Sequence, residues 1–251
     1  MHVLGVDIGG TGIKAAIVDI ATGALLTPRQ RVLTPQPATP EAVSIAVARL
    51  VQSFGWHGPV GCGLPAVVKD GIVRTASNIA PEWIGLDGRQ RLQEALGQPV
   101  ALLNDADAAG ITEMRFGTGR GRDGVVLMLT IGTGIGTALF VNGALLPNTE
   151  LGHIEIRGKD AERRASEAAR KRKGLSFTAW APLFDEYLNR VVALIWPDLI
   201  IVGGGASKAF DEFGPLLSAP VEVVSAHLRN EAGVIGAALY AASCLPALPP
   251  E

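Results

Sequence analysis

The chain has 251 residues, 48% of them hydrophobic and 18% charged, with a formal net charge of −2. That composition supports a substantial core and excludes a disordered chain, and the near-neutral balance gives no footprint for nucleic acid. Two cysteines, Cys62 and Cys244, with no C-x-x-C, exclude a disulfide scaffold and a cysteine-based zinc site, and no apolar run reaches the ~18 residues of a membrane span.

In chain order, residues 3–8, 14–19 and 25–33 read as three strands joined by tight turns. Pro35, Pro37 and Pro40 break the chain, and Thr39 caps an expected helix over about 40–53, with Val43, Ala46, Val47, Leu50 and Val51 at helical spacing. A short strand follows at 60–64, then a hairpin of Val67-Val68 and Ile72-Val73 around Lys69-Asp70-Gly71. Residues 76–87 read as an irregular loop, 88–96 as a helix and 100–103 as a strand ending at Asn104-Asp105. A helix is expected from Ala106 to about Met114.

At 116–123 the composition changes to FGTGRGRD, read as a domain crossing. A hairpin at 127–140 follows, then a strand at 144–146, helices over 160–172 and 178–195, and a strand at 199–202 running into Gly203-Gly204-Gly205. Ser207 is a candidate cap for the helix after it. Residues 221–224 read as a strand, 231–243 as a small-residue helix, and the Pro-rich tail as frayed. The chain enters a strand within three residues of its start, so no signal peptide is expected, and the setting is read as cytoplasmic.

Two Gly-tipped hairpins dominate this pattern: VLGVDIGGTGIKAAIVD over 3–19 and LMLTIGTGIGTALF over 127–140. Glycines at the tips let the backbone approach a ligand, and Thr130, Thr133 and Thr137 add hydroxyls. Such tips suit a phosphate chain, although an ordinary Gly-rich turn would read the same way alone. The repeat is architectural: each half opens with such a hairpin and later places a helix after a strand.

With those residues in view, the sequence resembles the ROK family of sugar kinases, and within it the polyphosphate-dependent glucokinase branch. The matching stretches run in order: DIGGTGIK (7–14), LPAVVKDG (64–71), SNIAPEW (77–83), LLNDADAAG (102–110), LTIGTGIGTALF (129–140), ELGHIEI (150–156), DAERRAS (160–166) and DLIIVGGGASK (198–208). The resemblance implies an α/β, two-lobed actin-like (ribonuclease-H-like) fold with mixed sheets flanked by helices, and an active site in the cleft. One lobe would be 1–115, with a C-terminal helix of about 231–251 packing back on it; the other would be 116–230.

It also implies roles. Phosphoryl transfer needs charge neutralisation, positioning and a base for the attacking hydroxyl. Asp7 would hold Mg²⁺ through water, with Gly9, Gly10, Thr11 and Lys14 at the phosphates, joined by Thr133, Gly134 and Gly136 of the second tip. Asp105 follows a strand end and would be the base that accepts the sugar hydroxyl proton; helix capping is its other reading. Asn78, Asn104, Asp105, Glu150, His153 and Glu162 would bind the hexose, and Gly203, Gly204 and Gly205 match the stretch near a nucleotide. The family's Cys-rich zinc motif between His153 and the second glutamate is missing: the spacing collapses to IEIRGKDAE, so no zinc is expected. Ala66 stands where the family has glycine, which bears on hexose preference.

The expected activity is therefore hexokinase-type transfer to glucose from inorganic polyphosphate, with ATP as a further donor, by a homodimer. The alternatives are a strictly ATP-dependent glucokinase or mannokinase, or a non-catalytic sugar-binding regulator. Residues 157–173 carry eight basic residues against three acidic ones, a net +5 that leaves −7 on the remainder. A linear polyanion would be drawn to such a segment; a solvated helix face is the plainer reading.

Overall fold

A computed structural model of the chain describes residues 1–228 and 231–245. The Pro-rich tail, and with it the end of the expected C-terminal helix, lies outside the described residues. Among the described residues no helix is long and apolar enough to cross a membrane. The chain forms two compact units, Met1–Thr112 with Glu231–Glu251, and Glu113–Asn230.

The first unit opens with β1 (His2–Ile8), β2 (Ile13–Asp19) and β3 (Gln30–Val32). The expected strand over 25–33 is cut short. Leu25 makes only an isolated bridge to Val18, and Pro28 has no N–H to extend a ladder. Helix α1 (Pro40–Gln52) starts at Thr39, whose side chain accepts from the Ala42 N–H at 3.3 Å. Next come β4 (Val60–Leu64), the small hairpin β5 (Val68–Lys69) and β6 (Ile72–Val73), α2 (Gly88–Leu96), β7 (Val100–Asn104) and α3 (Asp105–Phe116). The hairpin turn is Asp70-Gly71, both at positive φ, 57° and 87°. The 76–87 loop contains a short 3-10 turn, Pro81–Trp83. Trp83 is fully buried and its indole N–H donates to the Ala38 carbonyl at 3.0 Å. The sheet order is β3-β2-β1-β4-β7, with β1, β4 and β7 parallel.

The second unit repeats the plan with β8 (Val125–Ile131), β9 (Ile135–Val141), β10 (Ala144–Leu146), β11 (Glu155–Ile156), β12 (Lys159–Asp160), α4 (Glu162–Ala165), α5 (Glu167–Arg172), α6 (Phe177–Ile195), β13 (Leu199–Gly204), α7 (Phe210–Phe213) and β14 (Glu222–Ser225). Its main sheet runs β10-β9-β8-β13-β14, a hairpin with a third strand on one side and two parallel strands on the other. Trp180, Phe184 and Tyr187 of α6 and Phe213 of α7 are fully buried beneath it.

Two local expectations fail here. The helix expected over 160–172 is a strand end and two short helices, because Ser166 is extended (ψ 161°) and caps α5 through the Ala169 N–H. Ser207 caps nothing: it is buried within a 3-10 turn, Gly205–Ala209, and its hydroxyl donates to the Gly204 carbonyl at 2.9 Å.

The last helix, α8 (Ala232–Cys244), returns to the first unit and packs on β1, β4 and β7. A Cβ on Gly5 or Gly61 would run into the α8 carbonyls of Val234 or Ala237, so glycine is what admits this close approach.

Candidate functional site

The first unit gathers its chemistry at the C-terminal ends of the parallel strands. Asp7 pairs in register with Lys14 across β1 and β2, and Lys14 Nζ donates to Asp7 Oδ2 at 2.8 Å. The two side chains are 15% and 28% exposed, so the pair is partly shielded. A Cβ on Gly233 would meet the Asp7 carboxylate at 2.9 Å, so the first turn of α8 closes over it.

Between the strands lies the first tip. Its carbonyls are all tied back: Thr34 Oγ1 donates to Gly9 O (2.5 Å), Gln36 Nε2 to Gly10 O (3.1 Å) and Arg31 to Thr11 O (3.1 Å). A trans peptide holds its N–H opposite its C=O, so the N–H groups of Gly10, Thr11 and Gly12 face away from residues 31–36. This is the donor array an anion needs. Arg31, Thr34 and Gln36 went unnoticed in the sequence, because no local pattern marks a residue that bonds a tip some twenty positions away. Asn78 is exposed beside this tip, its carbonyl 3.3 Å from where a Cβ on Gly10 would sit.

Asn104 and Asp105 divide two tasks. Asn104 Oδ1 accepts from the N–H groups of Ala106 (2.8 Å) and Asp107 (3.1 Å), while Nδ2 donates to the Ala66 carbonyl at 3.1 Å. Asn104 is 7% exposed. Its amide oxygen is thus the cap of α3, and one amide N–H is left for a ligand. Asp105 is the first residue of α3, where the helix end favours a carboxylate. In the register Asp7 pairs with Gly63, and a Cβ on Gly63 would lie 3.5 Å from Asp105 Cα. The two acidic residues stand two strands apart, roughly 10 Å.

The second unit gathers the other residues. The tip Gly132-Thr133-Gly134 closes β8 on β9, with the Gly132 N–H donating to Gly134 O at 3.0 Å. Thr133 is exposed, and Gly136 pairs with Thr130. Thr137 points inward instead: it is buried, and its hydroxyl donates to Thr149 O at 2.6 Å, which anchors the segment leading to Glu150. Glu162 Oε2 accepts from the Ile135 N–H at 3.3 Å, so the first turn of α4 docks on the tip. His153 ends a 3-10 turn, Leu151–His153. Its Nε2 lies 3.3 Å from Glu150 Oε2 and its Nδ1 3.0 Å from Asp160 Oδ2. Burial pushes the Glu150 carboxyl above its usual range, Glu162 adds to this, and His153 opposes it. For His153 burial opposes the proton, but the hydrogen bond to Asp160 and the charges of Glu162, Asp160 and Glu150 outweigh it and raise the imidazole above 6.5.

Gly203, Gly204 and Gly205 are crowded by the protein itself. A Cβ would strike the Met128 side chain, the Ile131 backbone and the Glu167 carboxylate respectively, and Gly204 has φ +74°. The fold itself requires the glycine at Gly204, whereas at Gly203 and Gly205 only the ends of side chains stand in the way.

The sequence matches the ROK family model over residues 3–172. The chain belongs to the ROK family. It is 48% identical over 239 residues to a polyphosphate glucokinase of Mycobacterium tuberculosis, covering 95% of this chain and 90% of that one. Among solved structures it is similar to an inorganic polyphosphate/ATP-glucomannokinase from Arthrobacter sp. strain KM, with TM-score 0.93, 48% identity, and 96% and 98% of the two chains covered. It is also similar to a ROK family glucokinase from Streptomyces griseus in complex with glucose and AMPPNP, with TM-score 0.81, 27% identity, and 95% and 98% covered. The actin-like fold of mixed sheets flanked by helices follows.

In this ROK chain the basic stretch is partly used up internally. Arg157 and Arg164 both pair with Glu186 (2.5 and 2.9 Å) and Lys171 with Glu167 (2.9 Å). Arg170 lies 3.9 Å over the Phe177 ring, donates to Leu175 O at 2.7 Å and is 16% exposed, so it is a packing residue. Among the described residues Lys159, Arg163, Arg172 and Lys173 have no carboxylate partner, and all four are exposed.

Two places bear on metals. Asp7, with one oxygen held by Lys14, offers the single carboxylate that a largely hydrated Mg²⁺ takes. Donor atoms of His153, Asp160 and Glu162 lie within 4.8 Å of one another. The Nδ1 of that imidazole is already in a direct hydrogen bond to Asp160.

Proposed function

We propose that the protein transfers a phosphoryl group from inorganic polyphosphate to the 6-hydroxyl of glucose, giving glucose 6-phosphate. The observation that carries the chemistry is the place of Asp105: it heads α3 directly after the end of β7, beside Asn104, whose amide oxygen caps the helix. The 48% identity to polyphosphate glucokinases over nearly the whole chain supports the donor and the sugar.

Asp105 accepts the proton of the attacking hydroxyl as its oxygen bonds to phosphorus and the bridging oxygen of the polyphosphate departs with the shortened chain. Asn78, Glu150, His153 and Glu162 hold the sugar hydroxyls, which each donate and accept. The N–H groups of the first tip and Lys14 hold phosphate oxygens, as do Thr133, Gly134 and Gly136. Mg²⁺ held by Asp7 through water would neutralise phosphate charge. Zinc plays no part.

The test is a side-by-side measurement of initial rates of glucose phosphorylation with polyphosphate and with ATP. A higher kcat/KM with polyphosphate is expected. A higher value with ATP makes the protein an ATP-dependent glucokinase, and no glucose 6-phosphate with either donor overturns the reading.

A further inference from the structure

The imidazole of His153 is gripped at both nitrogens by carboxylates: Asp160 at Nδ1 (3.0 Å) and Glu150 at Nε2 (3.3 Å). No local pattern in the sequence marks Asp160 as a partner of His153. A two-residue turn brings it there. Arg157 (φ 53°) and Gly158 (φ 73°) give the paired positive φ values that close a tight hairpin, and Glu155 pairs with Asp160 in the β11–β12 register. The Ala161 N–H closes the hairpin onto Ile154 O at 2.9 Å. The other oxygen of Asp160, Oδ1, is buried with no hydrogen-bond partner among the described residues. A half-satisfied carboxylate is costly unless its one strong bond is kept, and that bond goes to His153.

We propose that Asp160 is a positioning residue for His153: its carboxylate holds the Nδ1–H, fixes the ring plane and leaves Nε2 to work beside Glu150. This deepens the hexose-site reading and rests on it for the identity of the ligand. A carboxylate has no proton to give at neutral pH, so the bond to Asp160 puts a proton on Nδ1; in the protonated ring Nε2–H faces Glu150, and in the neutral ring Nε2 is the acceptor left for a sugar hydroxyl. The charged groups facing the ring are Asp160 on β12, Glu162 on α4 and Glu150 before the 3-10 turn, all acidic. Together they favour the protonated ring, and removing the Asp160 charge withdraws the nearest contribution.

The experiment compares the full chain with Asp160→Asn. The ring nitrogens of His153 are followed by nitrogen-15 NMR across pH, with His153→Gln identifying its signals among the four histidines. In the wild type the neutral ring is expected as the Nδ1–H tautomer, and in the variant its titration moves to lower pH. The variant's KM for glucose is expected to rise at least about fivefold, with kcat and the KM for polyphosphate within about twofold, the pattern of lost sugar positioning rather than lost chemistry. An Nε2–H tautomer in the wild type overturns the proposal without recourse to any variant, as do an unchanged titration and an unchanged glucose KM in Asp160→Asn. If the wild type phosphorylates no glucose, the functional reading falls, while the tautomer and the titration still decide the His153–Asp160 relationship.

Discussion

The Oε2 atom of Glu162 occupies the space that a Cβ on Gly134 would fill, and the same oxygen accepts from the neighbouring Ile135 N–H. The glycine at the second tip therefore leaves room for the Glu162 carboxylate, besides any approach of phosphate. Gly134→Ala should push Glu162 out of place. The expected outcome is a several-fold rise in the glucose KM alongside any change in the polyphosphate KM. A variant that alters only the polyphosphate KM would show that the glycine serves phosphate alone.

Asp105→Asn should lower kcat by about 10²–10⁴, the usual contribution of a general base, while glucose still binds by calorimetry. Asn104→Ala should instead lower stability, costing about 1–2 kcal/mol through the lost cap. The carbonyl of Ala66 would also lose its donor. Denaturant unfolding of the two variants, with turnover measured beside it, separates these roles; more than a tenth of wild-type turnover in folded Asp105→Asn would remove it as the base.

Polyphosphate should be held by the unpaired cations rather than by the whole basic segment. Replacing Lys159, Arg163, Arg172 and Lys173 with Gln is expected to raise the KM for long polyphosphate several-fold and to flatten its salt dependence, with the glucose KM unchanged. Arg170→Gln is expected to act on stability instead, since its guanidinium is stacked on Phe177. The exposed pair of Arg157 with Glu186 is worth at most about 1 kcal/mol, so a polyanion could recruit Arg157. An unaltered polyphosphate KM in the quadruple variant would reduce the stretch to a solvated surface.

Purified protein should contain no stoichiometric zinc. His153, Asp160 and Glu162 are close enough to share an ion, so elemental analysis after chelator treatment is the direct check. One zinc per chain surviving chelation would contradict the expectation.

The raised imidazole of His153 sets a sign for pH dependence. A group whose folded value is raised contributes stability that is fully present below the unfolded value, near 6.5, and lost as pH rises through the folded value. The melting-temperature difference between wild type and Asp160→Asn should therefore be largest at mildly acidic pH and shrink in alkaline solution. A difference that does not vary with pH would assign the contact to packing alone.

The strand–turn–strand beginnings of both sheets, the Thr39 cap, the strand over 60–64, the helix over 88–96 and the Asn-Asp pair at a strand end were all legible in the amino-acid string. These are local matters: glycine and proline punctuation, alternation and capping chemistry act over a few residues and leave their mark in the string. Even there, composition alone could not tell which of Asn104 and Asp105 caps α3, because both are good caps and the choice falls to the one whose amide also reaches Ala66 from β7. Long-range packing set the remaining roles. It buried Ser207 and Thr137, stacked Arg170 on Phe177, tied the first tip to Arg31, Thr34 and Gln36, and folded Asp160 onto His153. The physical reason is common to all of them: a polar side chain's role depends on which partner comes within about 3 Å, and that is fixed by chain packing at positions its own neighbours do not encode.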